Sequence, residues 1–561
     1  MNRREFAALG TMSLVGIGGS WFRSRPALEL AADVAIIGGG VGGCAAALAV
    51  CRQGLRAILV EPTDWIGGQL TSQGVPPDEH PWIEKFGCTA SYRDFRQAVR
   101  AYYREHYPLT AAAAETVNLN PGAGWVSRIC CEPRVCLAVL EAMLAPYVAK
   151  GLLRILREQE PVAAEVDHDR VKAVEITEAH SRRRTVLRAA YFVDATELGD
   201  LLPLTRTEHV IGAESRTDTG EPNALTGADP LDQQAITWCF ALEHRPGENH
   251  VIARPEEYSY WRDYVPAMTP PWPGKLLAWE TAEPATLRPR GLGFDPVNEA
   301  TPKNLWTYRR VRAAKWFRDP AQWPDLCVVN WPQNDYLLGP LVGVSAKTAA
   351  RHLKRSRQVS LSLLYWMQTE APRPDGGTGW KGLRLAKEVL DGPDGLAKAA
   401  YIREARRIRA EFTITENHVG GAARKDRATG NTPPQAEVFP DSVGIGAYRI
   451  DLHPSTTRRN YLDIQSLPFQ IPLGALIPRR LENLLPASKN IGTTHITNGC
   501  YRLHPVEWNI GEAVGELSAY CFKEKRQPRQ VRNTPKLLAE FQEHLRRTGF
   551  ELEWPAEVHP L

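Results

Sequence analysis

Apolar and polar residues recur along this chain with two periods, and each change of period marks an element. Asp33-Val34-Ala35-Ile36-Ile37 is apolar on consecutive positions, as a strand buried on both faces requires. It breaks at Gly38-Gly39-Gly40-Val41-Gly42-Gly43. The small and apolar residues from Cys44 to Cys51 then predict a tightly packed helix. A second strand-like run begins at Arg56 and ends on Glu61. Helical spacing returns over residues 94–107, 133–151, 347–367 and 505–525. Short runs at 152–156, 171–176 and 185–187 predict a small antiparallel meander, followed by an apolar strand at Tyr191-Phe192-Val193. Near the other end Asn483-Leu484-Leu485-Pro486 predicts one more strand. Residues 442–453 alternate, so Asp451 and His453, two apart, share one face of a strand.

Composition narrows the class. A chain of 561 residues allows two to four domains. With 43% hydrophobic and 24% charged residues it buries a large core, and 44 glycines with 43 prolines make it loop-rich without low complexity. Lys+Arg 68 against Asp+Glu 64 is too balanced for a nucleic-acid binder, and the basic residues from Lys347 to Arg357 read as a solvated helix face. Past the N-terminus no apolar run reaches the roughly 20 residues of a membrane span. Ten cysteines without paired CxxC or CxxH clusters predict neither a disulfide scaffold nor a metal site. Cys130-Cys131 suggests a dithiol, but no CxxxxC pair follows directly on the glycine-rich helix. A disulfide reductase is therefore disfavoured, and the cysteines read as packed thiols. What is left is a large globular enzyme.

The chain opens Asn2-Arg3-Arg4-Glu5-Phe6 before a short, weakly apolar stretch from Ala7 to Ile17. This resembles a bacterial twin-arginine export signal over residues 1–30, with no clean A-x-A cleavage site. The resemblance implies a periplasmic or secreted protein that meets the membrane only through this signal.

Strand, G-x-G-x-x-G, helix, strand and acid follow one another from Asp33 to Glu61, the order a dinucleotide site requires. Gly38 permits the tight turn, Gly40 admits a pyrophosphate to the backbone, and Gly43 lets helix and strand close up. The helix N-terminus offers free N–H groups to phosphate, and Glu61 can accept from a ribose hydroxyl. Gly377-Thr378-Gly379-Trp380-Lys381-Gly382 fits the same pattern, but the prolines Pro372 and Pro374 before it exclude a buried strand. It is a loop, and a second nucleotide fold is not predicted.

Asp194-Ala195-Thr196-Glu197-Leu198-Gly199-Asp200 looks like the second flavin signature of the glutathione-reductase-like FAD fold. With Gly38–Gly43, Glu61, Gly67-Gly68-Gln69 and the stretch 471–515, it resembles the FAD-dependent oxidoreductases, including those labelled xanthan lyase-like. The resemblance implies an α/β fold. A glutathione-reductase-like FAD-binding domain, with parallel sheet and β-meander, would use residues 31–75, 125–215 and 470–525. Residues 76–124 would form a helical cap, 216–469 an inserted mixed α+β substrate domain, and 526–561 a C-terminal helical tail. FAD would be held by Gly38, Gly40, Gly43, Glu61, Gly68, Gln69, Asp194, Thr196, Asp200, Gly499 and Arg502. Two positions depart from the pattern: Ala487-Ser488 stands for Ala-Gly, and Thr196-Glu197 for Thr-Gly.

Flavin chemistry asks the protein for a cation near the ring and a proton acceptor for the substrate. Arg502 is the candidate cation, for the flavin or an anionic substrate. His495, in the polar loop from Gly492 to His504, is a candidate base or flavin partner, with a structural histidine as the alternative. Asp451 beside His453 is a second candidate pair, with a polar sheet face as the alternative. Cys500 in Gly499-Cys500-Tyr501 could bond the flavin methyl, as in monoamine oxidases; a packed cysteine is the favoured reading. The tryptophans from Trp261 to Trp331 read as core, although they would fit a pocket for sugars or aromatic compounds. The function implied is oxidation of a small organic substrate by hydride transfer to FAD, the electrons passing to an acceptor the sequence does not name. The alternatives are a non-catalytic flavin-containing binding protein, or an FAD enzyme that performs a non-redox elimination.

Overall fold

The computed structural model describes residues 28–425, 434–555 and 558, so the Arg3-Arg4 pair lies outside the described residues. Strand β1 (Leu28–Ala31) leads into β2 (Val34–Ile37), helix α1 (Val41–Arg52) and β3 (Ala57–Glu61). Helices α2 (Ala90–His106) and α3 (Pro133–Ala149) follow. Then come β4 (Leu153–Arg157), β5 (Gln159–Asp167), β6 (Arg170–Glu178), β7 (Arg184–Arg188) and β8 (Tyr191–Asp194). The middle of the chain carries β9 (Phe240–His244), β10 (Arg310–Arg312), β11 (Leu326–Val329), α4 (Ala346–Thr369) and β12 (Leu383–Leu385). A hairpin of β13 (Ile450–Leu452) and β14 (Leu462–Ile464) precedes β15 (Leu484–Pro486), α5 (His495–Tyr501) and α6 (His504–Glu524).

Five strands in the order β15-β8-β2-β3-β4 form one sheet in which every pairing is parallel. The unbroken apolar run of β2 is explained by burial on both faces. Val34 and Ile36 pack with α1, α3 and α6, while Ala35 and Ile37 pack under the meander. The run at 152–156 therefore belongs to the parallel sheet as β4, not to the meander. The meander is β5-β6-β7, and β1 extends it as a parallel edge strand. Strand β5, with alternating exposed Glu160 and Glu165, carries too little apolar signal to stand out in the sequence.

The inserted segment builds its own core on an antiparallel sheet, β10-β11-β9-β12, covered by α4. Trp261, Trp306 and Trp331 are buried there, as the core reading expects, and Lys347, Arg351 and Lys354 lie on the solvent face of α4. Residues 377–380 are irregular, with Thr378 bridged to Pro372, and a turn at 381–382 leads into β12. Helix α2 packs Phe95, Val99 and Tyr103 into the main core.

Helices α1 and α6 meet backbone to backbone. A methyl group on Gly511 would lie 2.0 Å from the Gly42 carbonyl oxygen, and one on Gly42 would lie 1.7 Å from the Ala487 carbonyl oxygen. Neither obstacle can rotate away. Gly511→Ala should cost about 3 kcal/mol or more in urea unfolding, or prevent soluble accumulation. Gly227→Ala is the control: nothing lies within 4 Å of its added methyl, and the change should stay within about 0.5 kcal/mol.

Candidate functional site

The parallel sheet presents its C-terminal edge to a cleft of about 370 Å³. Gly38, Gly40, Glu61, Gly68, Thr196 and Asp200 line it, all predicted cofactor residues. Gly38 turns the chain at φ +105°, and a methyl there would lie 2.1 Å from the Ala195 carbonyl oxygen. Gly40 starts α1 without a side-chain cap. Gly43 supports the turn from behind: its methyl would strike the Gly38 carbonyl oxygen at 1.9 Å.

Glu61 ends β3. One carboxylate oxygen accepts from Gly39 N–H at 3.0 Å, the other from Thr63 N–H at 2.9 Å and the Thr63 hydroxyl at 2.7 Å. Burial nevertheless pushes its carboxyl up to about 7. Asp194 braces the far wall, accepting from Thr196 N–H at 3.1 Å and the Thr196 hydroxyl at 2.7 Å; burial pushes it also to about 7. Gln69 ties the cleft to the start of α6, donating to the Arg502 carbonyl at 3.0 Å and to Glu507. Asp200 pairs with Arg406 at 3.1 Å.

Two buried acceptors on the cleft wall, Gln73 Oε1 and Glu197 Oε1, have no donor. Open glycine backbone, ribose-seeking Glu61 and unused acceptors for hydroxyl groups together fit FAD. The departures from the family pattern meet in space. Glu197, in place of glycine, forms an ion pair with buried Lys489, which follows Ser488. Lys489 also approaches Glu507 at 3.8 Å. Burial would lower the Lys489 pKa, but the two carboxylates raise it. Glu507 in turn accepts from Gly42 N–H at 3.3 Å.

A second cavity, of about 290 Å³, opens where the β13–β14 hairpin and the start of α6 face the inserted domain. Asp451, His453 and Arg502 line it together, as three of the four predicted catalytic residues. His453 Nδ1 lies 2.5 Å from Asp335 Oδ2, and His453 Nε2 lies 3.7 Å from Asp451 Oδ2. Asp335 is fully buried; burial alone would raise its pKa, yet Arg403 at 3.1 Å and His453 hold it below the usual carboxylate range. Arg502 donates to the Tyr401 hydroxyl at 2.8 Å and to Asp451 at 3.2 Å and 3.4 Å. At the head of α6, His504 Nδ1 accepts from Asp78 N–H at 3.0 Å. Burial pushes that imidazole down to about 4, so it is neutral near pH 7 and carries its proton on Nε2, which has no partner.

His495 is elsewhere. The stretch expected as a polar loop is helical, and His495 begins α5 with Nδ1 on Glu404 at 2.8 Å, lining neither cavity. It is the structural histidine of its alternative. Gly499 lets α5 pack on β13, its methyl falling 3.0 Å from Asp451 N, and touches neither cavity. The Cys500 thiol is buried, donates to the Thr497 carbonyl at 3.3 Å and is raised by burial, as a packed cysteine. Cys131 and Cys136 do have CxxxxC spacing, with sulfurs 3.0 Å apart, but in the core at the start of α3. Among the described residues no group of three or more His, Cys, Asp or Glu could hold a metal ion.

Sequence reasoning missed Asp335, Arg403, Arg309 and Lys489. Asp335 and His453 are far apart in the chain, and no local pattern joins them. Arg309 had a signal: Arg309, Arg310 and Arg312 crowd one short stretch without acidic neighbours, as buried cations with remote partners do.

The raised Glu61 carboxyl has a thermodynamic consequence. A carboxyl whose folded pKa exceeds its unfolded value holds an extra proton in the native state, so its contribution to stability falls as pH rises between the two values. Relative to Glu61→Gln, the FAD-free wild type should lose on the order of 2 kcal/mol in urea unfolding between pH 5 and pH 8. A difference constant with pH would show that Glu61 titrates normally.

Residues 33–545 match the family described as FAD dependent oxidoreductase. No curated protein matches the chain. Among solved structures, it is similar to an L-proline dehydrogenase from P. horikoshii at 17% identity and TM-score 0.18, over 34% of this chain and 25% of that one. It is similar to the glycerol-3-phosphate dehydrogenase from Bacillus halodurans complexed with FAD at 14% identity and TM-score 0.23, over 38% of this chain and 40% of that one. With the OxyS anhydrotetracycline hydroxylase from Streptomyces rimosus it shares 10% identity at TM-score 0.32, over 92% of this chain and 66% of that one. The chain thus spans less than two thirds of the length of each of these proteins. By the match that runs from the first sheet strand past α6, the chain belongs to the FAD dependent oxidoreductase family, and its cofactor is FAD.

Proposed function

We propose that the protein oxidises a small organic substrate held in the second cavity, with FAD lying in the first cleft in the glutathione-reductase-like manner. The observation that carries this reading is the His453–Asp335 pair: an imidazole on the cavity wall, fixed by a buried carboxylate, beside the cofactor cleft. Held along Gly38, Gly40 and Glu61, FAD would supply the two-electron acceptor for a hydride from the substrate carbon.

The side chains do the rest. With Nδ1–H donated to Asp335, His453 keeps its Nε2 lone pair free to accept the proton that leaves the substrate's oxygen or nitrogen. Carbon loses a hydride, the heteroatom loses a proton, and a C=O or C=N bond remains. Arg403 keeps Asp335 ionised, so the imidazolium formed is stabilised where it stands. Arg502 brings a fixed cation to the cavity wall, and buried His504 holds the backbone of Asp78, which lines the same cavity.

Two measurements test the reading. His453→Gln should slow anaerobic flavin reduction by about 10²–10⁴-fold, while FAD content stays at the wild-type level. An unchanged rate would remove His453 from the mechanism. On the cofactor side, Lys489→Met leaves Glu197 and Glu507 unpaired and should weaken FAD binding by about tenfold or more. The double variant Lys489→Met/Glu197→Gly, which restores the family's glycine, should recover most of that loss; additive effects would separate the two residues.

A further inference from the structure

Resting on that reading, we infer that the substrate is a carboxylate whose reacting carbon is next to the carboxyl group: a 2-hydroxy or 2-amino acid. Five guanidinium groups line the second cavity, against three carboxylates, Asp78, Asp451 and Asp463. Arg309, Arg403 and Arg502 line it, are 7%, 1% and 2% exposed, and each keeps a buried Nε–H without an acceptor. Tyr308 and Tyr401 stack under two of them, with Arg309 at 5.0 Å and Arg403 at 4.7 Å from the ring centres. The cations are thus fixed and incompletely satisfied.

Asp335 compensates Arg403 at 3.1 Å, but protein carboxylates do not fill the deficit at Arg309 and Arg502. Asp78 reaches Arg309 only at 3.3 Å and 3.5 Å, and Asp451 reaches Arg502 at 3.4 Å. These are long for charge-assisted bonds, which close to about 2.7–2.9 Å. A ligand carboxylate would supply the planar pair of acceptors that a guanidinium fork matches. A sugar or neutral alcohol could accept from these donors but would leave the buried cationic charge uncompensated, which disfavours it. Of the tryptophans, only Trp125 lines this cavity, so an aromatic platform for sugar rings is not built here.

The position of the reacting carbon follows from Asp451. Its Oδ2 lies 3.4 Å from Arg502 and 3.7 Å from His453 Nε2, so cation and base flank one oxygen. A carboxylate on Arg502 therefore sets the substituent on its neighbouring carbon near the base, a separation of one or two bonds. FAD, when bound, would supply the two-electron acceptor for a hydride from that carbon, while His453 takes the hydroxyl or amino proton, so that a 2-oxo acid or its imine remains.

The holoprotein decides this in two readouts. Anaerobically, short 2-hydroxy and 2-amino acids are compared with their methyl esters and amides for loss of flavin absorbance. In parallel, the unreactive dianion oxalate and its neutral analogue oxamide are compared for a shift in thermal midpoint. Acids of one series should bleach the flavin at least a hundredfold faster than their neutral partners. Oxalate, not oxamide, should raise the midpoint, with at least tenfold weaker binding in Arg502→Met and in Arg309→Lys. Whichever series reacts tells hydroxy from amino acid. Bleaching by esters or amides as fast as by acids would overturn the carboxylate class and leave the oxidation reading intact. Oxalate binding that depends on the arginines, without bleaching by any acid, would uphold an anion site and sink oxidation of these acids. Neither binding nor bleaching in the wild type would overturn the inference outright.

Discussion

Contact between α1 and α6 at backbone distance is the constraint on which the site depends. With Gly42 against Ala487 and Gly511 against Gly42, the first helix, the last strand of the sheet and the last buried helix have one available separation. Arg502, His504 and Glu507 sit at the N-terminal end of α6 and are carried by that packing. Glu507 reaches Gly42, Gln69 reaches Arg502, and His504 takes the Asp78 amide. Elements near the start and the end of the chain thereby fix Asp78 and Arg502 on the wall of the second cavity. A glycine that looks like phosphate chemistry in the sequence is, at Gly42 and Gly43, equally a packing requirement.

The electrostatics divide the site in the same way. On the cofactor side, three carboxylates gather: Glu61, Glu197 and Glu507, with Lys489 the buried cation between the last two. Around the second cavity the buried cations Arg309, Arg403 and Arg502 each keep an unpaired Nε–H, although Asp78 and Asp335 are buried beside them. Buried charges persist only when paired or hydrogen-bonded, so each arrangement restricts what can sit beside it. The Glu197–Lys489 pair shows how the family pattern can change without losing the site. Glycine is lost at one position, a lysine is present near another, and the charges meet.

What was legible in the sequence was whatever the backbone needs locally. The turn at Gly38, the packed helix from Val41 and the acid at Glu61 announce themselves because strand, helix and phosphate cradle each impose a short-range residue pattern. The pair Asp451 and His453 could be placed on one face by the period of a strand, although the strand breaks between Gly446 and Ile450. Asp335 could not be found, since its partnership with His453 exists only after the inserted domain folds onto the β13–β14 hairpin. His495 misled for the opposite reason. A polar stretch between apolar elements suggests exposure to a ligand, but its polar groups are consumed internally, by helix capping at Thr494 and by Glu404. Strand β5 was hidden by its own exposure.

One extended segment relates the two cavities. Ala400 and Ile402 line the cleft at the sheet edge, while Tyr401 and Arg403 line the second cavity. Alternation is what an extended chain must do, and the Tyr401 backbone is held extended by hydrogen bonds to Thr237 at 3.2 Å and 2.7 Å. Residue size follows function on each side. Lys398 is succeeded by Ala399 and Ala400, which leave the cleft open, whereas the aromatic and cationic residues line the second cavity. A slip of one residue in this segment would place Tyr401 and Arg403 in the cleft and two small apolar residues in the cavity. The Thr237 bridge, which also brings the Thr237 hydroxyl to Arg403 at 2.8 Å, therefore sets the composition of both walls at once.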